Sequence, residues 1–302
     1  MTTAARGAVS VVIPCHNQAR FLGEAIDSAL RQTCPPMDVI VVDDGSTDGT
    51  ASVAQGYASV KYLRQPNEGA PSARNRGLHS SKGEFVLFLD ADDRLLPDAL
   101  AHGISALGDH PDWALVTGHV RLITATGIPE TTPPQAHAPG DQFLALLRSN
   151  YIWTPGVVLY RRSVLDAVGP FDSAARASAD YELNLRIARQ HAIGCHHNVM
   201  LEYRRHGDNM SADVGEMLRS AVAVRLRQRR FVAGNPDAHR AWREGIEIVR
   251  ADYGERLIEQ VKQHIRGGHT ARAAKGILYL SRYYPGGLMR TLAASARSFA
   301  SA

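Results

Sequence analysis

The stretch Glu84-Phe85-Val86-Leu87-Phe88-Leu89-Asp90-Ala91-Asp92-Asp93 runs an uninterrupted apolar strand straight into three carboxylates. Apolar residues at every position suit a strand covered on both faces, as in a parallel sheet flanked by helices. The tip of such a strand surfaces at the sheet edge where open α/β sheets place their ligands. Three crowded carboxylates repel one another unless a cation neutralises them, so a metal site is the first expectation. A solvated acidic turn, followed by a helix opening at Pro97, is the plainer alternative.

Outward from this strand the pattern alternates. Strands are expected at 9–13, 39–43, 60–64 and 84–90, with helices at 21–32, 47–56 and 70–80 between them. Phe21, Leu22, Ala25, Ile26, Ala29 and Leu30 fall on one helical face, whereas Val39 to Val42 are apolar throughout, as in a doubly covered strand. The first hundred residues therefore form two Rossmann-like units. Beyond them come a helix at 97–107, a strand at 113–123 and a Pro/Thr/Gly-rich loop at 124–140, long enough to act as a lid. A strand at 156–161, a short helix at 163–168, a helix at 181–191 opening at Asp180 and a strand at 197–203 follow. From about residue 215 the chain is helical; Ile246, Val249, Leu257, Val261 and Ile265 lie at roughly helical spacing, and Gly267-Gly268 ends that element. The expected division is a body at 1–214 and a helical extension at 215–302.

The chain has 302 residues, enough to bury a full core. Cys15, Cys34 and Cys195 are too widely spaced for a disulfide ladder or a CxxC zinc pair, which fits a reducing compartment. Residues 1–8 lack an apolar leader core, and no run approaches the roughly 18 apolar residues of a membrane helix, so a cytoplasmic location is expected. The net charge of +4 is uneven: residues 215–302 carry 16 Lys/Arg against 7 Asp/Glu. Aromatic residues do not interleave with that charge as base-stacking platforms would, which argues against nucleic acid. A solvated helical surface and peripheral contact with an anionic membrane face remain as readings of the basic tail.

Strand one ends in Pro14-Cys15-His16-Asn17 and strand two in Asp43-Asp44-Gly45-Ser46-Thr47-Asp48-Gly49, so both polar clusters face the sheet edge that carries Asp90 and Asp92. Asp44 stands where an acid of such a unit commonly accepts hydrogen bonds from a ribose or base. A calcium loop over 44–55 is disfavoured, because Gln55 occupies the place of the bidentate Glu; Asp48 reads as a turn or capping residue. Neither a GxGxxG turn nor a Walker lysine is present, so a diphosphate ligand would need a metal, anchored by Asp90 and Asp92. Cys195-His196-His197 is not expected to bind zinc, since adjacent strand residues point to opposite faces.

Four segments in order, Val9 to Asn17, Val42 to Thr50, Asn67 to Gly77 and Leu89 to Asp93, closely resemble the family 2 glycosyltransferases of the GT-A fold. The resemblance runs from about Val9 to Ser211. It implies a Rossmann-like, mostly parallel central sheet flanked by helices. It also implies an inverting, hexosyltransferase-type transfer from a nucleotide-sugar, usually UDP-linked, with manganese or magnesium on the DXD carboxylates. By resemblance, Pro14 and His16 line the base pocket together with Asn17, Asp44 holds the base or ribose, and Arg74 lies near the nucleotide. Asp92 becomes the principal metal ligand, with Asp90 or Asp93 assisting. The family often has Tyr at the His16 position, so GDP and dTDP donors stay open beside UDP. For Arg74 and Asn75, a helix face carrying surface hydrogen bonds is the alternative.

The family places an acidic pair at a helix start after Gly-x-Phe-Asp. Here Gly169-Pro170-Phe171-Asp172 precedes Ala179-Asp180-Tyr181, so only the second acid is present, and the resemblance makes Asp180 the base that takes the acceptor hydroxyl proton. An ordinary Asp pKa near 4 would keep it ionised, and a simple helix N-terminal carboxylate is the alternative. The segment from Tyr203 to Ser211 resembles the family's closing stretch, so His206 would complete the metal shell or donate to phosphate, with Arg204 or Arg205 adding charge; a solvated loop is the alternative. Trp153 and Thr154 border the expected acceptor side, where Trp153 either packs on a sugar or fills the core. The acceptor would be a glycan or lipid-linked hydroxyl in polysaccharide biosynthesis, reached in the cytoplasm or peripherally at the inner membrane face. A nucleotidyltransferase and a catalytically silent nucleotide-sugar-binding module are the competing functions.

Overall fold

The computed structural model describes residues 7–135, 137 and 140–300. In chain order it contains β1 (Val9–Cys15), α1 (Ala19–Leu30), β2 (Asp38–Asp44), α2 (Thr50–Gln55), β3 (Val60–Gln65), α3 (Ala70–Ser80), β4 (Phe85–Phe88) and β5 (Arg94–Leu95). These are followed by α4 (Ala99–Asp109), β6 (Trp113–Thr124), α5 (Gln142–Arg148), β7 (Val158–Arg161), α6 (Arg162–Val168), α7 (Ala179–Ala188) and β8 (Ala192–Arg205). The remainder is helical: α8 (Val214–Arg227), α9 (Arg229–Val232), α10 (Pro236–Arg266), α11 (Thr270–Tyr283) and α12 (Pro285–Ala300).

The strands form one sheet in the order β3-β2-β1-β4-β7-β6-β8-β5. From β3 to β4 every pairing is parallel, as the alternating pattern requires. The second half is mixed: β7 runs antiparallel to both β4 and β6, β6 runs parallel to β8, and β5 is antiparallel to β8. Apolar runs report that a strand is covered but not which way it points, so a mostly parallel sheet describes the first half and a mixed sheet the whole.

Every residue of β1 and β4 is buried, with Val11, Val12, Leu87 and Phe88 wholly inaccessible. The expected face of α1 is the buried one. Helix α3 lies so close to the sheet that a methyl group on Gly77 would collide with Val12, which explains a glycine within the helix. This approach carries Arg74 and Asn75, one turn earlier, to the sheet edge.

Three expected elements differ in extent. The DXD strand is short, although Leu89 N still donates to Val12 O at 2.9 Å before the chain turns away. Strand β8 is twice the expected length and crosses an irregular region opposite His119. The segment 128–135 of the expected lid at 124–140 is fastened to β6. Gln135 bonds both backbone groups of Val120 through its amide, Thr132 Oγ1 accepts Leu122 N, and Ile123 bridges Pro129. Residues 136, 138 and 139 of that expectation lie outside the described residues.

Two compact units are present, one containing the chain up to Gln142 together with Tyr151–Gly207, the other Phe143–Asn150 with Asp208–Ala302. The second is built around Leu218, Val222, Val249, Leu257, Val261 and Leu280 from α8, α10 and α11. Most of α5 belongs to it: Gly245 of α10 passes directly over the Leu147 carbonyl, and Arg148 Nε meets Glu244 at 2.8 Å. No helix of the described residues is long and apolar enough to cross a membrane.

Candidate active site

The ends of β1 and β2 form a hydrogen-bonded frame. Asn17, with φ 54°, sits in the left-handed region that asparagine tolerates. Its Oδ1 accepts Thr47 N at 2.8 Å, which turns its Nδ2 toward His16 Nε2 at 3.2 Å. Asn67 Nδ2 also approaches Nε2 at 3.2 Å, and His16 Nδ1 lies 2.8 Å from Asp44 O. Two amide donors at Nε2 and a carbonyl at Nδ1 suit the tautomer that carries its proton on Nδ1. Pro14 is buried within β1.

Asp44 is buried and fully engaged. Its Oδ1 accepts Gln65 Nε2 at 2.8 Å and Glu68 N at 2.9 Å, while Oδ2 accepts Gly69 N at 2.8 Å. In this structure the carboxylate shapes the 67–69 turn. Gly45 (φ 74°) is required there, because a Cβ would stand 2.7 Å from Asn67 N. Asp43 beside it receives Ser46 N at 2.8 Å and Tyr62 Oη at 2.6 Å. Burial pushes the Asp43 pKa up, but the Ser46 and Tyr62 hydrogen bonds and Arg64 outweigh it and hold the carboxyl below its usual range. Asp48 accepts Ala19 N and Thr50 N, the turn and capping role expected of it.

The carboxylates after β4 separate into three environments. Asp90 pairs with Arg74 at 2.6 Å and accepts Thr154 Oγ1 at 3.3 Å. Asp92 Oδ2 meets His206 Nε2 at 2.9 Å, and the His206 ring packs 4.9 Å from Phe21. Burial and the neighbouring Asp90 push the Asp92 carboxyl up. Asp93 is buried and accepts Arg204 N at 2.9 Å, which commits one of its oxygens to the backbone of β8.

Asp180 opens α7 and faces the same cluster: Arg74 acts electrostatically on both Asp90 and Asp180. Burial pushes the Asp180 carboxyl above its ordinary value, against the pull of Arg74, which corrects the expectation of an unperturbed acid. Asn75 pins the turn before α7, donating to Phe171 O at 2.9 Å and accepting Phe171 N at 2.8 Å. Arg74 lies over the Phe171 ring at 5.6 Å. The two motif segments at 74–75 and 169–172 thus meet in space, and Asn75 is a positioning residue rather than a surface one. Thr154 is buried beside Asp90, whereas Trp153 is 39 % exposed and is not a core residue.

Arg204 corrects a further expectation. Its guanidinium is buried among Asp92 O at 2.8 Å, Ala125 O at 2.9 Å and Glu24 Oε2 at 2.7 Å, so it fastens the acidic turn. Arg205 is exposed and pairs with Glu130 at 3.5 Å. Glu24, Phe21, Tyr62 and Asn67 contact the candidate site residues or their supports; the sequence offered Phe21 only as a core residue and Asn67 only as the start of a motif segment, and Glu24 and Tyr62 not at all. Glu24 is an exposed charge off the apolar face of α1, which gave no signal in the sequence, and Tyr62 carried none either. The oxygen-rich pair Asp90 and Asp92, crowded enough to raise one pKa, fits a hard divalent cation, and the His206 ring nitrogen stands beside it.

The family model described as Glycosyl transferase family 2 matches residues 10–169. The chain belongs to that family. An uncharacterized glycosyltransferase of Rickettsia typhi is 31 % identical over 203 residues, covering 66 % of this chain and 64 % of that protein. The chain thus spans just under two thirds of that relative's length. A PGL/p-HBAD biosynthesis glycosyltransferase of Mycobacterium tuberculosis is 30 % identical over 227 residues, covering 72 % of this chain and 85 % of its own. Among solved structures, S. aureus TarS 1-349 in complex with UDP has TM-score 0.59 at 19 % identity over 80 % of this chain and 71 % of that one. The mannosyltransferase PcManGT of Pyrobaculum calidifontis, in complex with GDP-Man and Mn2+, has TM-score 0.57 at 18 % identity over 95 % and 88 %. The shared fold is GT-A.

The Tyr62 to Asp43 contact gives a pH signature. A depressed folded-state pKa adds stability above the unfolded value of about 3.9, and that stability is lost as pH falls through the folded value. Tyr62→Phe removes one hydrogen bond to a charged acceptor, so it lowers unfolding free energy by about 1–3 kcal/mol at pH 7. Urea titrations at pH 7 and about pH 3 should show the gap between variant and wild type narrowing at the lower pH.

Proposed function

We propose that this chain transfers a sugar from a nucleotide-sugar, UDP-linked, to an acceptor hydroxyl with inversion at the anomeric carbon. The observation that carries the proposal is the clustering of Asp90, Arg74 and Asp180 beside the Asp92–His206 pair at one sheet edge. In that reading residues 1–214 are the catalytic domain and 215–302 an appended helical part.

Asp180 takes the acceptor proton as the hydroxyl oxygen forms its bond to the anomeric carbon and the bond to the diphosphate oxygen breaks with its electron pair. A carboxyl raised by burial is a stronger base than an ordinary aspartate, and Arg74 pulls against that rise in favour of the charged form. Pro14, His16 and Asn17 present the base pocket, held rigid by the Asp44 turn. Asp92 and Asp90, with His206, would hold a divalent metal, manganese or magnesium, which supplies charge neutralisation for the diphosphate leaving group. Arg74 orients Asp90 and sets the field around Asp180. Thr154 fixes the second oxygen of Asp90, and exposed Trp153 is available to pack on an acceptor sugar. The complex of TarS with UDP and that of PcManGT with GDP-Man and Mn2+ support a nucleotide-sugar donor.

Asp180→Asn should lower kcat by about 10²–10⁴-fold while leaving UDP affinity within a few-fold of wild type. Products from a donor panel with manganese and a glycan or lipid-linked acceptor check the class of reaction. Free nucleoside diphosphate and a glycosylated acceptor support transfer; pyrophosphate release indicates a nucleotidyltransferase, and binding without turnover a silent module.

For the second unit the proposal is peripheral contact with an anionic membrane, in keeping with a lipid-linked acceptor. Leu278 and Met289 are 68 % and 65 % exposed on helices that also carry Lys275, Arg282 and Arg290. The full chain should float with vesicles containing phosphatidylserine at low salt and be released by raised salt. Equal recovery with neutral vesicles would contradict an electrostatic contact.

A further inference from the structure

Strand β8 makes its irregular crossing at Cys195-His196-His197. Thr117 pairs with Cys195 and His119 with Val199, so two steps on β6 are matched by four on β8. The surplus residues form a bulge in which His197 takes φ 59°, and bulges re-aim side chains. His196 turns toward His102, with ring centroids 5.8 Å apart. His197 turns the other way, beside Cys195 and His119. The alternation argument therefore holds for the two adjacent histidines but omits the ligand contributed by the neighbouring strand.

We propose that His119, Cys195 and His197 form a binding site for a borderline-soft divalent transition metal of the zinc class, separate from the carboxylate pair at the sheet edge. Cys195 Sγ lies 3.9 Å from His119 Nε2 and 3.8 Å from His197 Nδ1, and the three ligand atoms fall within 4.8 Å of one another. Tetrahedral zinc with bonds of about 2.3 Å to sulfur and about 2.0–2.1 Å to nitrogen holds sulfur and nitrogen about 3.6 Å apart. Closing the observed distances to that value needs only small side-chain rotations. One thiolate and two imidazoles select zinc-class ions, whereas manganese and magnesium prefer oxygen.

The surroundings match a ligand shell. His197 N approaches Cys195 Sγ at 3.4 Å, a backbone donor of the kind that steadies a thiolate. His137 brings a third imidazole to within 6.4 Å of the His197 ring, packed against Tyr151, and its Nδ1 is buried with no hydrogen-bond partner among the described residues. It is the candidate fourth ligand. His197 is exposed, which provides an entry path. Binding forms a metal–sulfur bond, breaks the Cys195 S–H bond and releases that proton to solvent. The bound ion would clamp β6 to β8 where their register is broken.

Cobalt(II) added to the metal-stripped full chain tests this. One equivalent should produce a thiolate-to-cobalt charge-transfer band, and zinc should abolish it by displacement. Cys195→Ser should lose the band, and His119→Asn and His197→Asn should each weaken cobalt binding at least about tenfold. Asp92→Asn should retain the band, since the carboxylates are a different site. Should Cys195→Ser fail to fold by circular dichroism, His197→Asn at the exposed position carries the test. Absence of the band in folded wild type, or its persistence in folded Cys195→Ser, overturns the proposal.

Discussion

Three carboxylates within four residues cannot share one turn unless each is given its own counter-group, and the structure around β4 is organised to do that. Asp90 has Arg74 from α3, Asp92 has the His206 ring after β8, and Asp93 has the backbone N–H of Arg204. An unpaired buried carboxylate costs several kcal/mol, so the turn holds its shape only while these partners, one from α3 and two from the end of β8 and just beyond it, are in place. Arg204 joins the two halves of the arrangement: its backbone holds Asp93, and its guanidinium holds the Asp92 carbonyl and Glu24 of α1.

The same division of labour appears at the ends of β1 and β2. Asp43 and Asp44 spend their oxygens on Ser46, Tyr62, Gln65 and the 67–69 turn, which leaves the His16 ring held on three sides by amides and a carbonyl. A frame satisfied internally does not reorganise when a ligand arrives, and such preorganisation favours both binding and catalysis. Asp43 and Asp44 thus also brace the backbone around the candidate site.

Much of the first hundred residues was legible because the apolar runs and the helical face of α1 each encode one structure. The DXD strand announced both its burial and its charged tip, and Asp180 was placed by its position after Gly169-Pro170-Phe171-Asp172. Strand direction in the second half was not legible, since burial of β7 gives no sign of its antiparallel course. Nor were Arg204 and Glu24, whose roles come from long-range packing that no local pattern records. The fastening of 128–135 to β6 was not legible, because Gln135 and Thr132 imitate strand pairing with side chains, which composition reads as loop. The His119, Cys195 and His197 cluster stayed hidden because a bulge, not an ideal alternation, sets where His197 points.

The account rests on the paired acids at the β4 tip being the place where a metal and a nucleotide diphosphate meet. Anomalous diffraction at the manganese edge, from crystals of the full chain grown with UDP and manganese, addresses this directly. A peak bonded to Asp92 and bridging to the diphosphate oxygens is the predicted result. A well-ordered UDP with no peak beside Asp90 or Asp92 would contradict it.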